Sequence, residues 1–188
     1  IEFTPMRGNA RTDSMARDIT VNSAVVSQDG RLHAHPLFEE DMAKSVLRFC
    51  SAEALTADPL RVYRLARFAA VLPEWKVDGE TVDLMRSFSS SNAREIASLP
   101  RERVTQEMFK AFEAEKPSRF FEILGLTGSM LPWFEELAEA GDIPAGPSPW
   151  HDNSVLAHTL EVMDRCAGHP MAVWMALCHD LGKIRTDP

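Results

Sequence analysis

Residues 57–70 read Ala57-Asp58-Pro59-Leu60-Arg61-Val62-Tyr63-Arg64-Leu65-Ala66-Arg67-Phe68-Ala69-Ala70, and the rest of the chain is organised around them. Asp58 suits an N-cap, because its carboxylate can accept backbone N–H groups that a first turn leaves unpaired, and Pro59 suits the first helical position. The spacing therefore predicts a helix starting here. Val62, Leu65, Ala66, Ala69 and Leu72 recur at i, i+3, i+4 and i+7 and form an apolar stripe, which leaves Arg61, Arg64 and Arg67 on other faces and available. An ordinary amphipathic helix with a solvated basic edge would explain three arginines alone. The order of the whole string separates the two readings.

Asp-Pro-Leu-Arg-Val-x-Arg-x-Ala-Arg-Phe-Ala-Ala resembles the neck-helix signature of the bacterial tRNA nucleotidyltransferase and poly(A) polymerase family, class II. The resemblance implies that Asp58 and Arg61 read the Watson–Crick edge of an incoming nucleotide, with Arg64 and Arg67 in the same nucleotide-binding set. Ala57 stands where the family has Glu, so a carboxylate that would help fix the Arg61 rotamer is missing. A second segment, Ala16-Arg17-Asp18-Ile19-Thr20-Val21-Asn22-Ser23-Ala24, resembles the family's Arg-Arg-Asp-Phe-Thr-x-Asn-Ala. By the same carry-over, Arg17, Asp18 and Asn22 help hold the triphosphate and ribose. Ala16 and Ser23 depart from the pattern, and the lost guanidinium at position 16 removes a bidentate phosphate contact. Without the resemblance this segment reads as a polar turn or short helix packing through Ile19 and Val21.

With 188 residues, 45% of them hydrophobic, the chain can bury one core or two small ones. A net charge of −8 argues against a generally basic nucleic-acid-coating surface, so any RNA contact is expected to be a local patch. Cys50, Cys166 and Cys178 lack CxxC spacing and suggest neither a disulfide framework nor a thiolate zinc site; a reducing cytoplasm fits. There is no signal peptide, no apolar run long enough to span a bilayer and no initiator Met, so the sequence reads as a fragment.

Residues 1–6 are β-prone up to Pro5 and read as the end of an edge strand. Residues 9–14 read as a polar loop. Asp29-Gly30 between two β-prone runs predicts a hairpin of 24–27 against 31–34. His35 to Met42 occupies the place of a glycine-containing hinge in the family; without those glycines the connection is stiffer. His33 and His35 have metal-compatible spacing but read as surface histidines. A helix is expected over 39–49 with Met42, Val46 and Phe49 inward. Pro73 ends the central helix. Another helix is expected over 78–87, packing through Val82, Met85 and Arg86, then a serine linker. Ser98 is expected to cap a helix over 101–114, whose Leu-Pro-x-Glu-Arg-Val-x-x-Glu resembles a family motif supporting the neck. Glu102, Arg103 and Glu107 there read as a structural ion-pair network. Helices over 117–126 and 131–140 follow, and the proline- and glycine-rich 141–149 reads as a boundary.

Beyond it, a helix is expected from His158 to about Cys166 and another over 171–181. His158-Thr159-Leu160 together with His179-Asp180-Leu181-Gly182-Lys183 resembles an HD-domain phosphohydrolase signature. The resemblance makes His158, His179 and Asp180 candidate ligands of a divalent metal whose bound water is the nucleophile. That signature needs a later Asp; Asp187 is a candidate only by default, so the site is expected to be incomplete.

The expected fold class is mainly α. It comprises a β remnant of the nucleotidyltransferase head over 1–36, a helical neck and body over 37–141, and the first helices of an HD domain over 150–188. The implied reaction transfers a nucleotide from CTP or ATP to the 3′ end of tRNA or another RNA, with Mg²⁺ held by paired carboxylates. The family's Gly-Ser and Asp-x-Asp motifs are expected upstream of Ile1, and no Asp-x-Asp occurs in this sequence, so no catalytic residue is assigned. A non-catalytic RNA-binding module and a metal-dependent HD phosphohydrolase are the alternatives.

Overall fold

A computed structural model describes residues 8–146 and 153–185, and the strand expected over 1–6 and the default ligand Asp187 lie outside them. The first element is α1 (Ala10–Met15), where composition predicts a loop. The reason is a capping box: Asn9 Oδ1 accepts from Thr12 N–H and Thr12 Oγ1 accepts from Asn9 N–H, both at 3.0 Å. A single 3-10 turn, Thr20–Asn22, follows. Ile19 is fully buried, as the packing alternative expects. The hairpin forms as the Asp29-Gly30 signal requires: β1 (Val25–Val26) pairs antiparallel with β2 (Leu32–His33), Val25 opposite His33, with Gly30 at φ 79°.

The helix expected over 39–49 is shorter. α2 (Phe38–Lys44) stops at Ser45, whose φ of 55° is left-handed, and the chain leaves as β3 (Val46–Leu47). Met42 is 44% exposed rather than inward. The buried residue is Asp41, which accepts from Thr20 Oγ1 at 2.7 Å and from Arg48 Nε, so its carboxylate is satisfied inside.

After α3 (Ala54–Ala57) comes α4 (Arg61–Val71). It starts later than Asp58 because Asp58 is extended (φ −155°, ψ 102°) and Pro59 and Leu60 form the turn ahead of the helix. Its stripe packs as expected: Val62, Leu65, Ala66 and Ala69 are fully buried, and so are Tyr63 and Ala70. The alanines let α4 lie close against its neighbours. Beyond Pro73, β4 (Lys76–Val77) pairs parallel with β3.

Asp78 caps α5 (Gly79–Ser91) through Thr81 N–H, and the serines expected as a linker continue this helix, turning Met85 and Phe88 inward while Arg86 stays outside. α6 (Ala93–Ala97) and α7 (Arg101–Phe112) follow, with Pro100 rather than Ser98 at the α7 cap position. α8 (Ser118–Leu126) is close to expectation, whereas α9 (Glu135–Glu139) is shorter because turns occupy residues 131–134. α4 packs chiefly against α8 and α7. Tyr63, Phe120, Phe121 and Phe134 meet edge to face at 5.0–6.3 Å between centroids; the first three are fully buried in the core and Phe134 packs against it.

Two last helices, α10 (Val155–Arg165, capped by Ser154) and α11 (Pro170–Cys178), pack on each other, and Leu181–Arg185 forms a 3-10 turn. α10 therefore starts before His158, and α11 stops before Leu181. Asp164 of α10 accepts from Ser118 N–H (3.0 Å) and Ser118 Oγ (2.7 Å), capping α8 from outside and tying the last helices to the body.

Candidate nucleotide-binding site

The sequence-selected polar residues converge on the seam between the start of α4, the start of α7 and the segment after α1. Asp58 Oδ1 accepts from Leu60 N–H at 3.1 Å, and Oδ2 accepts from Arg103 Nη2 at 2.8 Å. The carboxylate is thus held by its own turn and by α7. Arg61 donates from Nη2 to Ala16 O at 2.7 Å and from Nη1 to Arg17 O at 3.2 Å. Arg64 Nε donates to Asp18 Oδ2 at 2.6 Å, and its Nη1 lies 3.7 Å from Glu107. Arg67 Nε donates to Glu107 Oε2 at 2.6 Å while its guanidinium carbon sits 4.1 Å from the centroid of the Phe68 ring.

The arginines expected to be available are therefore engaged. Sequence periodicity places them off the apolar stripe but cannot see the carboxylates and carbonyls that fold back onto them. Arg103 and Glu107 enter ion pairs as expected, but with Asp58 and with the α4 arginines; Glu102 is exposed. Asp13 is the partner that the sequence does not signal: it lies in the polar run read as a loop and binds Arg17 at 2.6 Å. Asn22 Nδ2 donates to Asp18 Oδ1 at 3.1 Å, so Asp18, Asn22 and Arg64 form one cluster from which Arg17 is turned away. Among the described residues of this seam, Arg61, Arg64, Arg67, Arg103 and Lys110 lie together with Asp18, Asp58 and Glu107.

Asp18 is 4% exposed. Burial disfavours its charge, but the Arg64 charge, the Asn22 amide and the Ile19 N–H outweigh that and hold its carboxyl below the ordinary 3.8. Because the folded value is depressed, the stabilisation is fully present above the unfolded value and is lost as pH falls below it. Asp18→Asn is expected to cost about 1–3 kcal/mol in urea unfolding near neutral pH, a cost that shrinks at about pH 3. An undiminished cost there would contradict the ion pair.

His158, His179 and Asp180 form a second cluster, with their candidate ligand atoms all within 4.8 Å of one another. His158 Nε2 and His179 Nε2 are 3.4 Å apart, and Asp180 Oδ2 lies 3.8 Å and 3.4 Å from them. His179 Nδ1 is 2.6 Å from Ala176 O; a proton shared there leaves the Nε2 lone pair facing the cluster. Lys183 Nζ reaches Asp180 Oδ2 at 2.8 Å and Ala145 O at 2.9 Å. Partial burial opposes the Asp180 charge, but Lys183 and the two imidazoles together hold its carboxyl below the usual range. His33 and His35 face no such cluster among the described residues: His33 lies near Ser27, and His35 Nδ1 accepts from Leu37 N–H.

Residues 76–140 match the family described as "Probable RNA and SrmB- binding site of polymerase A". The chain is 38% identical over 181 residues to the Multifunctional CCA protein of Verminephrobacter eiseniae (strain EF01-2), covering 93% of this chain and 43% of that protein. It is 36% identical over 187 residues to the Multifunctional CCA protein of Actinobacillus pleuropneumoniae serotype 5b (strain L20), covering 93% and 44%. It thus spans less than half the length of these curated relatives. Among solved structures, the Bacillus stearothermophilus CCA-adding enzyme in complex with CTP has a TM-score of 0.65 at 21% identity, over 95% of this chain and 44% of that one. The Thermotoga maritima CCA-adding enzyme complexed with tRNA gives 0.65 at 16%, with the same coverage. These two likenesses show the mainly α fold.

Proposed function

The chain belongs to the CCA-adding enzyme family, and on that premise we propose that it carries the nucleobase-recognition part of an enzyme adding C and A from CTP and ATP to the 3′ end of tRNA. The observation that supports this best is the pair at the start of α4. Asp58 and Arg61 lie one turn apart, and each is fastened from behind by groups of another element. A carboxylate accepts from the exocyclic amine of C or A, and a guanidinium donates to ring acceptors, whereas U and G offer a different pattern. Arg64, Arg67, Asp18 and Asn22 would meet the triphosphate and ribose, and Arg17 would join them on leaving Asp13. In this proposal residues 1–36 are the edge of the head, 37–141 the neck and body, and 150–188 the start of an HD domain.

Nucleotidyl transfer needs Mg²⁺ held by paired carboxylates. Asp18, Asp58 and Glu107 do not fit, because each is already engaged by an arginine and none is paired with another carboxylate. We therefore assign this chain recognition and no transfer step. The full-length protein carrying this sequence is expected to add labelled CTP and ATP to tRNA lacking its 3′ end, and the 188-residue chain alone to add neither. Failure of the full-length protein would contradict the proposal, and reproducible transfer by the chain alone would contradict the division of labour.

A phosphohydrolase activity is a second reading, favoured by the convergence of His158, His179 and Asp180. These residues fit a divalent ion, which when bound supplies an activated water. Lys183 already engages Asp180, so occupancy in this chain is expected to be partial. Calorimetric titration with Mn²⁺ should show weak binding that His179→Ala abolishes. Tight, stoichiometric metal would contradict this competition by Lys183 for Asp180. Among the described residues no helix is long and apolar enough to cross a membrane.

A further inference from the structure

We propose that the carbonyls of Ala16 and Arg17, at and just beyond the C-terminal end of α1, are the orienting clamp for Arg61, so that nucleobase selectivity depends on a helix outside the recognition pair. This rests on the reading of Arg61 as a base-reading side chain.

Ala16 is the C-cap of α1, with helical φ and ψ of −89° and −1°. The last carbonyls of a helix have no intrahelical partner and carry its partial negative charge, so they attract a cation. Arg61 satisfies the cap carbonyl, Ala16 O, from Nη2, and the carbonyl of the next residue beyond the helix, Arg17 O, from Nη1. Fastening a guanidinium at both terminal nitrogens fixes its plane as well as its position, which a single acceptor does not. The methyl group of Ala57, one turn earlier, can supply no acceptor. The clamp spans the fold, because residues 16 and 17 are far in sequence from residue 61.

α1 has six residues and is too short to persist unaided. Its order comes from the Asn9 and Thr12 capping box, from Arg17 on Asp13, and from the Cys50 thiol donating to Ser14 O at 3.9 Å. Loosening α1 at its start should therefore loosen Arg61.

The test measures kcat/KM for ATP, CTP, UTP and GTP in the full-length protein. The double substitution Asn9→Ala with Thr12→Ala removes two exposed caps, and Ala16→Gly loosens the same carbonyls by a different route. Both are expected to lower the preference for C and A over U and G by about five- to tenfold. Adding Ala57→Glu, which gives Arg61 a side-chain acceptor, should restore it. A wild-type preference in both variants, or a loss that Ala57→Glu does not repair, would overturn the clamp. Arg61→Ala separates the two claims: if it keeps the wild-type preference, the underlying reading of Arg61 fails. If it loses the preference while the α1 variants keep theirs, only the clamp fails.

Discussion

Replacing Glu107 with alanine is expected to destabilise the fold by about 3 kcal/mol, the lower end of what breaking a buried ion pair costs. Glu107 is 3% exposed and faces Arg67 at 2.6 Å, Lys110 at 3.6 Å and Arg64 at 3.7 Å. Removing the carboxylate strands Arg67, whose side chain is 16% exposed and cannot regain full hydration where it is. The lower end applies because Arg64 keeps Asp18 and Lys110 is well solvated. Glu107→Gln keeps an acceptor for Arg67 Nε and should cost about half as much. Pairing Glu107→Leu with Arg67→Met removes both charges and should recover most of the loss. The shift of the urea midpoint at constant slope measures all three. A cost under about 1 kcal/mol for Glu107→Ala would mean that solvent, not Glu107, carries the Arg67 charge.

Arg61→Ala is expected to collapse the preference for C and A over U and G in the full-length protein. A bidentate contact of this kind is worth roughly 1–3 kcal/mol of discrimination, or about ten- to a hundredfold in relative kcat/KM. Asp58→Ala should do the same while also costing about 1 kcal/mol of stability, because it removes the acceptor for Leu60 N–H and the partner of Arg103. Ala57→Glu should leave the preference unchanged or sharpen it. Retained selectivity in Arg61→Ala would reduce Asp58 to a turn cap and Arg61 to a tether between α4 and α1.

The string at 57–70 made the buried stripe of α4 legible, because apolar spacing at 3.6 residues per turn reports burial directly. Asp29-Gly30 was equally legible, since hairpin turns need a positive φ, which Gly30 adopts and few other residues tolerate. Residues 39–49 were not: the apolar positions fit a helix, but a left-handed Ser45 and a buried Asp41 satisfied by Thr20 and Arg48 end it early. The serines at 87–91 look like a linker by composition, yet Met85 and Phe88 anchor them as helix. In the candidate site, residue identities came from local patterns, and their partners did not. Arg61 with the carbonyls of Ala16 and Arg17, and Asp58 with Arg103, join positions more than forty apart, which only the fold brings together.

The most direct measurement of base recognition at the start of α4 is an NMR titration of the chain with each nucleotide, following the Asp58 side-chain carboxyl carbon and the Arg61 Nε resonance. CTP and ATP should shift both resonances together and saturably, while UTP and GTP at the same concentrations should leave them near their starting positions. Binding of CTP or ATP that moves neither resonance, or equal shifts with all four nucleotides, would contradict it.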